Sequence, residues 1–177
     1  DFNNCVTNLS TSISEPASAL MTTVSKTDVL CFGNNTGVID LSITGGTPPY
    51  TTSWSNGAFS EDITNLFANT YSLTALDLNN CRVDTSFIIV EPDVGLSNLF
   101  SVSHVSCNGF YDGNIFSNVS GGTAPYQYVW ANSSYALSTT SSGLTNFPAD
   151  NYFLEVTDNN GCELYDTTNI IEPTMLW

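Results

Sequence analysis

The chain has 177 residues, 41% of them apolar and 12% aromatic, which is enough for one or two compact domains with cores of their own. Seventeen acidic residues against two basic ones give a net charge of −15. This balance excludes nucleic acid and anionic membranes as partners, because both are bound through clusters of Lys and Arg. No apolar run approaches the length that spans a bilayer, so we expect no membrane insertion.

A motif that occurs twice organises the chain. Residues 45–50 read Gly-Gly-Thr-Pro-Pro-Tyr and lead to Trp54, and residues 121–126 read Gly-Gly-Thr-Ala-Pro-Tyr and lead to Trp130, 76 residues later. Paired glycines supply positive φ angles, proline stiffens the turn, and the alternation that follows is typical of a strand. The chain is therefore predicted to use a small β-module at least twice.

Shorter motifs set the limits of the repeat. Three Glu-Pro pairs close three units, and each follows an Asp/Asn-rich turn that ends in a cysteine; the pairs are residues 15–16, 91–92 and 172–173, and the cysteines are Cys5, Cys81 and Cys162. We therefore predict the C-terminal strand of a preceding repeat at 1–16, a first complete repeat at 17–92 and a second at 93–177. The second is longer, with its five extra residues between Trp130 and Leu144. The sequence is interpreted as a fragment of a longer exported polypeptide.

Within each repeat the predicted fold is all-β. Alternating apolar and polar residues between Asn/Gly/Pro clusters predict strands in the first repeat at 20–27, 38–44, 50–54, 59–63 (the weakest), 70–76 and 83–90. About seven short strands, with a Trp on the third and a Tyr opening the penultimate one, are typical of an immunoglobulin-like antiparallel β-sandwich. We therefore expect tandem sandwiches with Trp54, Trp130, Tyr71 and Tyr152 in their cores.

The five cysteines leave the disulfide pattern open. Because their positions repeat, the preferred pairing lies within each repeat, Cys31 with Cys81 and Cys107 with Cys162, and leaves Cys5 free. A bridge closing a loop of ~50 residues would stabilise so small a domain by roughly 3–4 kcal/mol. The difficulty is that the two turns lie at opposite ends of a seven-strand sandwich. Two alternatives also preserve the repeat: links between successive turns (Cys5–Cys31 and Cys81–Cys107) or a bond across the junction (Cys31–Cys162).

The sequence does not indicate catalysis. His104 is the single histidine, it aligns with Asp28 of the first repeat, and it is predicted to be a solvated strand residue. Nucleophilic triads need a His or Lys base, and the acidic residues fall in turns and at outward strand positions, where solvated charge is ordinarily found. No Cys-x-x-Cys or Cys/His cluster indicates zinc. We therefore predict no enzyme activity, no catalytic residue and no required cofactor.

Calcium is the one ligand for which the sequence offers candidates. Asp77 and Asp158 head Asp/Asn-rich turns and Asp112 lies in another, and oxygen ligands at a junction suit Ca²⁺. The same residue types are first of all turn formers, and the spacing of an EF-type loop is missing. The turn interpretation is therefore preferred, with a calcium site as the alternative.

Taken together, the motifs resemble the SprB-type repeat of cell-surface adhesins in gliding Bacteroidetes. The resemblance rests on the Cys-x-Gly turns at 31–33 and 107–109, the two Gly-Gly-Thr-x-Pro-Tyr runs, Ser-Trp-Ser-Asn-Gly at 53–57 and Asp-Leu-Asn-Asn-Cys at 77–81. The second repeat departs from it at 131–134, which read Ala-Asn-Ser-Ser. The resemblance implies an extracellular filament at the cell surface, exported by the type IX pathway, moved by the gliding machinery and adhering to polysaccharide or another substratum. It assigns no catalytic residues.

Two functions follow. The first is a non-catalytic adhesive segment of a gliding filament, and the alternative is a carbohydrate-binding accessory array of a secreted enzyme. An exposed aromatic strip would favour sugar binding, whereas scattered or buried rings would favour a spacer; the candidate rings are Phe59, Phe67, Phe110, Tyr111, Tyr135 and Phe147. The strand at 1–16 is expected to dock on the first complete repeat or to pair with another molecule, since an unpaired strand edge is sticky.

Overall fold

The computed structural model of the protein describes residues 9–12, 14–137 and 139–175. These residues form thirteen strands, β1 to β13, and no helix long and apolar enough to cross a membrane. Six strands form a first sandwich and seven a second, and the assigned pairings are antiparallel. The prediction of an all-β fold is confirmed.

The first sandwich has two three-stranded sheets. One has the order β1-β2-β4 and the other the order β3-β5-β6. The first, second and fourth strands thus form one sheet and the third, fifth and sixth the other, and this division of strands is typical of an immunoglobulin-like sandwich. The strands are β1 Met21–Thr27, β2 Gly37–Thr44, β3 Thr51–Trp54, β4 Ile63–Leu66, β5 Asn69–Leu76 and β6 Arg82–Ile89.

The second sandwich repeats this arrangement and adds one strand. Its sheets have the orders β7-β8-β11 and β10-β9-β12-β13. The extra strand, β10, pairs with β9 and lies within the segment where alignment placed the five additional residues. The insertion therefore widens one sheet at its edge. The strands are β7 Ser97–Ser103, β8 Gly113–Ser120, β9 Gln127–Asn132, β10 Ala136–Leu137, β11 Gly143–Phe147, β12 Asp150–Thr157 and β13 Glu163–Ile170.

The predicted core residues are buried. Trp54 and Trp130 are 3% and 0% exposed, and Tyr71 and Tyr152 are 7% and 0% exposed. The Trp130 indole N–H donates to the carbonyl of Ser141 (2.9 Å), so the ring is buried without leaving its polar atom unpaired. The Tyr152 hydroxyl donates to the carbonyl of Pro148, four residues earlier (2.8 Å), as the corner tyrosine of this fold does.

Five of the six strands predicted for the first repeat are confirmed to within one residue at each end, and one is wrong. The strand expected at 59–63 is instead β4, Ile63–Leu66. The carbonyl of Ser60 accepts hydrogen bonds from the Thr52 hydroxyl (3.0 Å) and the Trp54 indole (3.0 Å). Core side chains therefore hold this segment, and its backbone does not enter the ladder.

The chain divides into two compact units that do not coincide with the predicted repeats. Unit 2 contains Thr27–Val38, Thr64–Asn69 and the described residues from Ile88 onward, and unit 1 contains the rest. The boundaries predicted at residues 17, 92 and 93 stay a prediction. Of the segment 1–16, the described residues 9–12 and 14–16 form no strand, and the predicted strand itself lies largely outside the described residues.

Candidate functional site

A buried carboxylate organises one end of the second sandwich. Asp158 is 3% exposed and follows β12. Its Oδ1 accepts the backbone N–H groups of Asn160 (2.8 Å) and Cys162 (2.9 Å), and its Oδ2 accepts the N–H of Thr123 (2.8 Å) in the Gly-Gly-Thr turn. The Asn160 amide also donates to Thr123 Oγ1 (3.0 Å). The two sequence motifs of the repeat thus form one hydrogen-bonded structure.

The first sandwich builds the same end from the same residues. Asp77 is 4% exposed, and its Oδ1 accepts the N–H groups of Asn79 (2.9 Å) and Cys81 (2.8 Å). Its Oδ2 accepts the N–H of Thr47 (2.9 Å), and Asn79 Nδ2 donates to Thr47 Oγ1 (3.0 Å). The turn interpretation of these Asp/Asn clusters therefore has a specific structural basis in both copies.

The second glycine of each Gly-Gly pair is needed for this contact. Gly46 has a φ of +60°, and a Cβ on it would lie 2.9 Å from Asp77 Oδ2. At Gly122 the φ is +59° and the corresponding distance to Asp158 Oδ2 is 2.7 Å. A side chain at either position would both strain the backbone and push the carboxylate away.

Hydrogen bonding accounts for the charge state of the calcium candidates. Burial raises the pKa of Asp77 and of Asp158, but the backbone N–H donors outweigh it, so that the pKa of each carboxyl lies below its usual value. At Asp112, the hydrogen bonds from Ser106, whose N–H lies 3.0 Å from Oδ1, lower the pKa. Among the described residues no three His, Cys, Asp or Glu side chains are grouped so that they could hold a metal ion. Each of the three candidates has backbone donors of its own.

The opposite end of each sandwich carries the Cys-x-Gly turn. Gly33 and Gly109 have φ angles of +75° and +76°, and each donates its N–H to the Glu of a Glu-Pro pair, Glu91 Oε2 and Glu172 Oε2 respectively. The Glu-Pro pairs, which the sequence offered only as markers of repeat ends, thus hold this turn. His104 lies just after β7, not in it, and its Nδ1 accepts the N–H of Ile171 (3.3 Å).

The disulfide pairing preferred from the sequence is wrong. The bond joins Cys31 to Cys162, with Cα atoms 5.6 Å apart, while Cys81 and Cys107 are free and exposed. Eight-residue β2 separates the two ends of the first sandwich by about 26 Å, at ~3.3 Å per residue, and a disulfide needs Cα atoms within about 7 Å. Because the two turns of one repeat lie at opposite ends of its sandwich, their cysteines are too far apart to pair.

The outer face of the β10-β9-β12-β13 sheet is apolar at its centre. Val129, Phe153 and Tyr165 are 51%, 46% and 67% exposed. Glu155 lies between two of them, opposite Val129 on β9 and opposite Tyr165 on β13. These residues line an open groove of about 250 Å³, which Ala136 of the inserted strand helps to close. The face combines ring surface with a carboxylate.

The matching face of the first sandwich is polar. Alignment places Ser53 at the position of Val129, Ser72 at that of Phe153 and Asp84 at that of Tyr165. Asp84 accepts from the Thr74 hydroxyl (2.7 Å) and from Arg82 Nε (2.7 Å), forming a surface network with no ring. The two copies therefore present different chemistry on this sheet.

The aromatic candidates from the sequence do not form the strip. Phe59, Phe67, Phe110 and Tyr111 lie in loops of two sandwiches, Tyr135 lies in the β9–β10 turn, and the Phe147 ring packs edge-on against Tyr152 (5.9 Å between centroids). The rings that do share a face, Phe153 and Tyr165, were not singled out. Alternation predicts that each ring points outward from its own strand, but only the register of β12 with β13 places the two rings on one face.

Comparison with known proteins gives one sequence family and several distant structures. The chain is similar to the three N-terminal domains of the highly immunogenic outer capsid protein (Hoc) of bacteriophage RB49, at 12% identity and a TM-score of 0.47, over 87% of this chain and 59% of that one. It is also similar to the N-terminal eight Ig domains of the Down syndrome cell adhesion molecule, isoform 1.30.30, at 12% identity and a TM-score of 0.45, over 90% of this chain and 25% of that one. No curated protein matches.

The family match falls on the motifs described above. The SprB repeat model matches residues 23–59, which run from β1 past the Gly-Gly-Thr turn to Phe59, and residues 99–134, which cover the same part of the second copy. SprB repeats come from surface-exposed proteins, and a disulfide fits an extracellular protein. The resemblance predicted from the sequence is thereby confirmed: the SprB repeat model matches two stretches of this chain, one in each copy.

Proposed function

We propose that this chain is a non-catalytic segment of a secreted cell-surface adhesin filament used in gliding motility and surface attachment. The SprB repeat matches support a repeat region of a cell-surface adhesin. Export by the type IX pathway and movement by the gliding machinery are part of the proposal and come from the resemblance. The proposal assigns no catalytic residue and no required cofactor.

One observation carries the adhesive part of the proposal, the exposed groove formed by Val129, Phe153 and Tyr165 with Glu155. Exposed ring faces stack on the apolar faces of sugars, and a neighbouring carboxylate accepts hydrogen bonds from sugar hydroxyls. The net charge of −15 disfavours anionic surfaces. We therefore infer that the contacted substratum is an uncharged polysaccharide.

Binding by such a face is expected to be weak for a single copy. The groove is open and small, about 250 Å³, and buries only part of one or two sugar rings. Many copies on one filament would bind together, and the effective concentration of neighbouring copies would replace strong single-site affinity. A filament that must release as it moves is suited to this arrangement.

The test is binding of the full chain, displayed at high density on beads, to uncharged and to anionic polysaccharide films. Phe153→Ser introduces the residue that the first repeat has at this position, and we expect roughly a tenfold or greater loss of bead retention from removing one stacking ring. Phe59→Ser, which removes a ring that is 76% exposed elsewhere, is the matched control and should retain binding. Equal retention by both variants would exclude the groove as the contact.

A carbohydrate-binding accessory array of a secreted enzyme is the second candidate, favoured by the same groove. The two functions differ in what the producing cell loses when this segment is deleted. A motility adhesin segment should cost attachment and gliding while polysaccharide hydrolysis in the medium is unchanged. Loss of hydrolysis with normal gliding would favour the accessory array. The same strains, with the type IX exporter disabled, test whether the segment reaches the cell surface by that route.

A further inference from the structure

The disulfide joins two unlike turns of successive sequence repeats. Cys31 belongs to a Cys-x-Gly turn that precedes the second strand of a sandwich, and Cys162 belongs to an Asp-x-x-x-Cys turn that follows the penultimate strand. Cys31 comes from the first predicted repeat and Cys162 from the second. Both lie in the same compact unit, unit 2.

Further contacts in unit 2 accompany the bond. The Asn160 amide donates to the carbonyl of Leu30 (3.3 Å), and Cys162 Sγ lies 3.5 Å from the same oxygen. The ring of Phe32 approaches Gly95 so closely that a Cβ there would lie 3.2 Å from it. A cleft of about 660 Å³ lies beside the bond, between Phe32 and the residues around Cys162. The disulfide is thus accompanied by a hydrogen bond and by a close packing contact within the same compact unit.

Cys107 stands in the same local structure as Cys31 but has no partner. Its turn has the same positive φ at the glycine two positions on, +76° against +75°, and the same hydrogen bond from that glycine to a Glu-Pro glutamate. Cys107 is exposed and free. A surface of Pro173, Thr174 and Met175 lies beside it.

Cys81 stands in the same local structure as Cys162 and is also free. Its N–H is held by Asp77 as that of Cys162 is held by Asp158. A cleft of about 500 Å³ beside Cys81 is lined by Ala19 and Leu20 among others. These two residues align with Gly95 and Leu96, which line the cleft beside Cys162. Phe32, which follows Cys31, is one of the residues that line the cleft beside Cys162. Among the described residues, no Cys-x-Gly turn lines the cleft beside Cys81.

We propose that Cys81 and Cys107 are the two open halves of an inter-repeat disulfide, and that each is built to take a further copy of the repeat. Cys81 receives the Cys-x-Gly turn of one copy, and Cys107 receives the Asp-x-x-x-Cys turn of another. Each new bond has the connectivity of Cys31–Cys162. This goes beyond the proposed adhesive function, because it concerns how repeats are joined, and it stands or falls without any glycan.

The chemistry is thiol–disulfide exchange with a small disulfide such as oxidised glutathione as oxidant. The thiolate of Cys107 attacks one sulfur of the oxidant and releases one glutathione thiolate, which leaves a mixed disulfide. The partner cysteine, as thiolate, then attacks the Cys107 sulfur and releases the second glutathione. Two protein thiols lose two protons and two electrons, and one oxidised glutathione becomes two reduced ones.

The first test adds a third complete copy after this chain. Residues 93–177 are fused again after Pro173, with Asn159→Gln in the added copy so that its Cys162 peptide has its own mass. The protein is oxidised with a glutathione pair, alkylated and mapped with a protease other than trypsin, since only two basic residues are present. We expect native Cys107 bonded to the added copy's Cys162, and its alkylation to fall roughly tenfold or more because the thiol is consumed.

A second fusion tests the other half. Residues 17–76 are placed before Asp1, where the Asp-Phe-Asn-Asn-Cys run at 1–5 aligns with Asp77 to Cys81 and completes a preceding repeat. We expect Cys81 bonded to the added copy's Cys31, marked by Asn35→Gln. Reduced and reoxidised samples must show native Cys31–Cys162, which reports that the scaffold has folded.

Matched variants decide between outcomes. Cys107→Ser in the first fusion should leave the added copy's Cys162 alkylated, and Cys81→Ser in the second should leave the added copy's Cys31 alkylated. If Cys107 and Cys81 stay free in both fusions while native Cys31–Cys162 forms, the proposal is overturned. Pairing within the added copies, or between Cys81 and Cys107, would overturn it equally.

Discussion

The outer sheets of the two sandwiches differ, whereas the ends of the two sandwiches are nearly the same. At the ends, Asp77 and Asp158 accept the same three backbone N–H groups over distances that agree to about 0.1 Å. On the outer face of the matching sheet, Ser72 and Asp84 of the first copy stand at the positions that Phe153 and Tyr165 occupy in the second. The two copies therefore share the hydrogen-bonded turns at their ends and differ in the residues on the outer face of one sheet.

The physical reason is the period of a strand. Successive side chains on β12 point to opposite sides, so Leu154 and Val156 fill the core while Phe153 and Glu155 face solvent. A change on the outer side leaves core packing untouched. The end turns have no such freedom, because each carboxylate there has three fixed donors.

Substitutions in the core that the two sandwiches share should have the largest effect on stability. Trp130→Ala removes a ring that is 0% exposed, and we expect the free energy of unfolding of its sandwich to fall by about 3–5 kcal/mol. Trp54→Ala should cost a similar amount in the other copy. Denaturant unfolding followed by far-UV circular dichroism measures both. Tyr135→Ala is the control, since that ring is 64% exposed, and a loss as large as that of Trp130→Ala would contradict the core assignment.

The disulfide comes next in size. Cys31→Ser with Cys162→Ser opens a loop of 131 residues, and we expect a loss of about 3–5 kcal/mol, because the denatured chain gains the freedom that the bond removed. Thermal melting monitored by circular dichroism checks this. The paired control, Cys81→Ser with Cys107→Ser, should melt as the unchanged chain does in monomeric samples. A large loss in that control would contradict the observed connectivity.

The end turn gives a smaller, pH-dependent effect. Asp158→Ala leaves three backbone donors without their acceptor and should cost about 2–3 kcal/mol at neutral pH. Since the pKa of Asp158 is lowered in the folded protein, its contribution is complete above the ordinary value of 3.8 and is lost as the pH falls through the lower folded pKa. The unchanged chain and the variant should therefore approach each other in stability only below about pH 4. An equal loss of stability from the substitution at neutral pH and throughout the acid range would contradict the hydrogen-bonded carboxylate.

Exchange of the outer face should change binding with little effect on stability. Ser72→Phe with Asp84→Tyr gives the first sandwich the two rings of the second, and we expect the doubled face to strengthen bead retention on uncharged polysaccharide. The melting temperature should change little, because both positions are exposed. Ser86→Phe, at an exposed position aligned with Thr167, is the control for added ring area alone. Stronger retention from that control as well would indicate nonspecific adhesion.

Calcium should have the smallest effect. The carboxylate oxygens of Asp77 and Asp158 already accept three backbone N–H groups each, and a cation would have to displace these donors. We therefore expect the same melting temperature in Ca²⁺ and in chelator. An increase of several degrees that Asp112→Asn abolished would instead assign a calcium site to the third candidate.

Local patterns predicted most of the fold. Alternation along residues 38–44, and along the other alternating strands, predicts which side chains point into the core. The positions of the Trp and of the corner Tyr identify the third and the penultimate strands. The strand expected at 59–63 was wrong because no local pattern shows that Thr52 and Trp54 hold the Ser60 carbonyl. Hydrogen bonds from the side chains of the preceding strand to this backbone override a weak alternating run.

Contacts between motifs that are far apart in the sequence could not be predicted from it. The Gly-Gly-Thr and Asp-Asn motifs were recognised separately, yet Asp77 and Thr47 meet across thirty residues. The disulfide pairing could not be predicted for the same reason. The repeat period shows which cysteines occupy equivalent positions, but it does not show which cysteines are in contact. The outer groove was missed because Phe153 and Tyr165 each occur in an ordinary alternating strand, and only the pairing of β12 with β13 brings them to one face.

The disulfide also sets how the protein responds to tension. A pulling force that reaches residue 31 passes through the sulfur–sulfur bond to residue 162, and the chain between them, which spans a sequence separation of 131, carries none of it. That stretch would be roughly 450 Å long if fully extended, at ~3.3–3.6 Å per residue. With the bond intact this length stays hidden, and the chain lengthens only by unravelling outside it. Tension on the chain is therefore carried at this point by a covalent bond, and the described strands that it loads are the two outside the closed loop, β1 and β13.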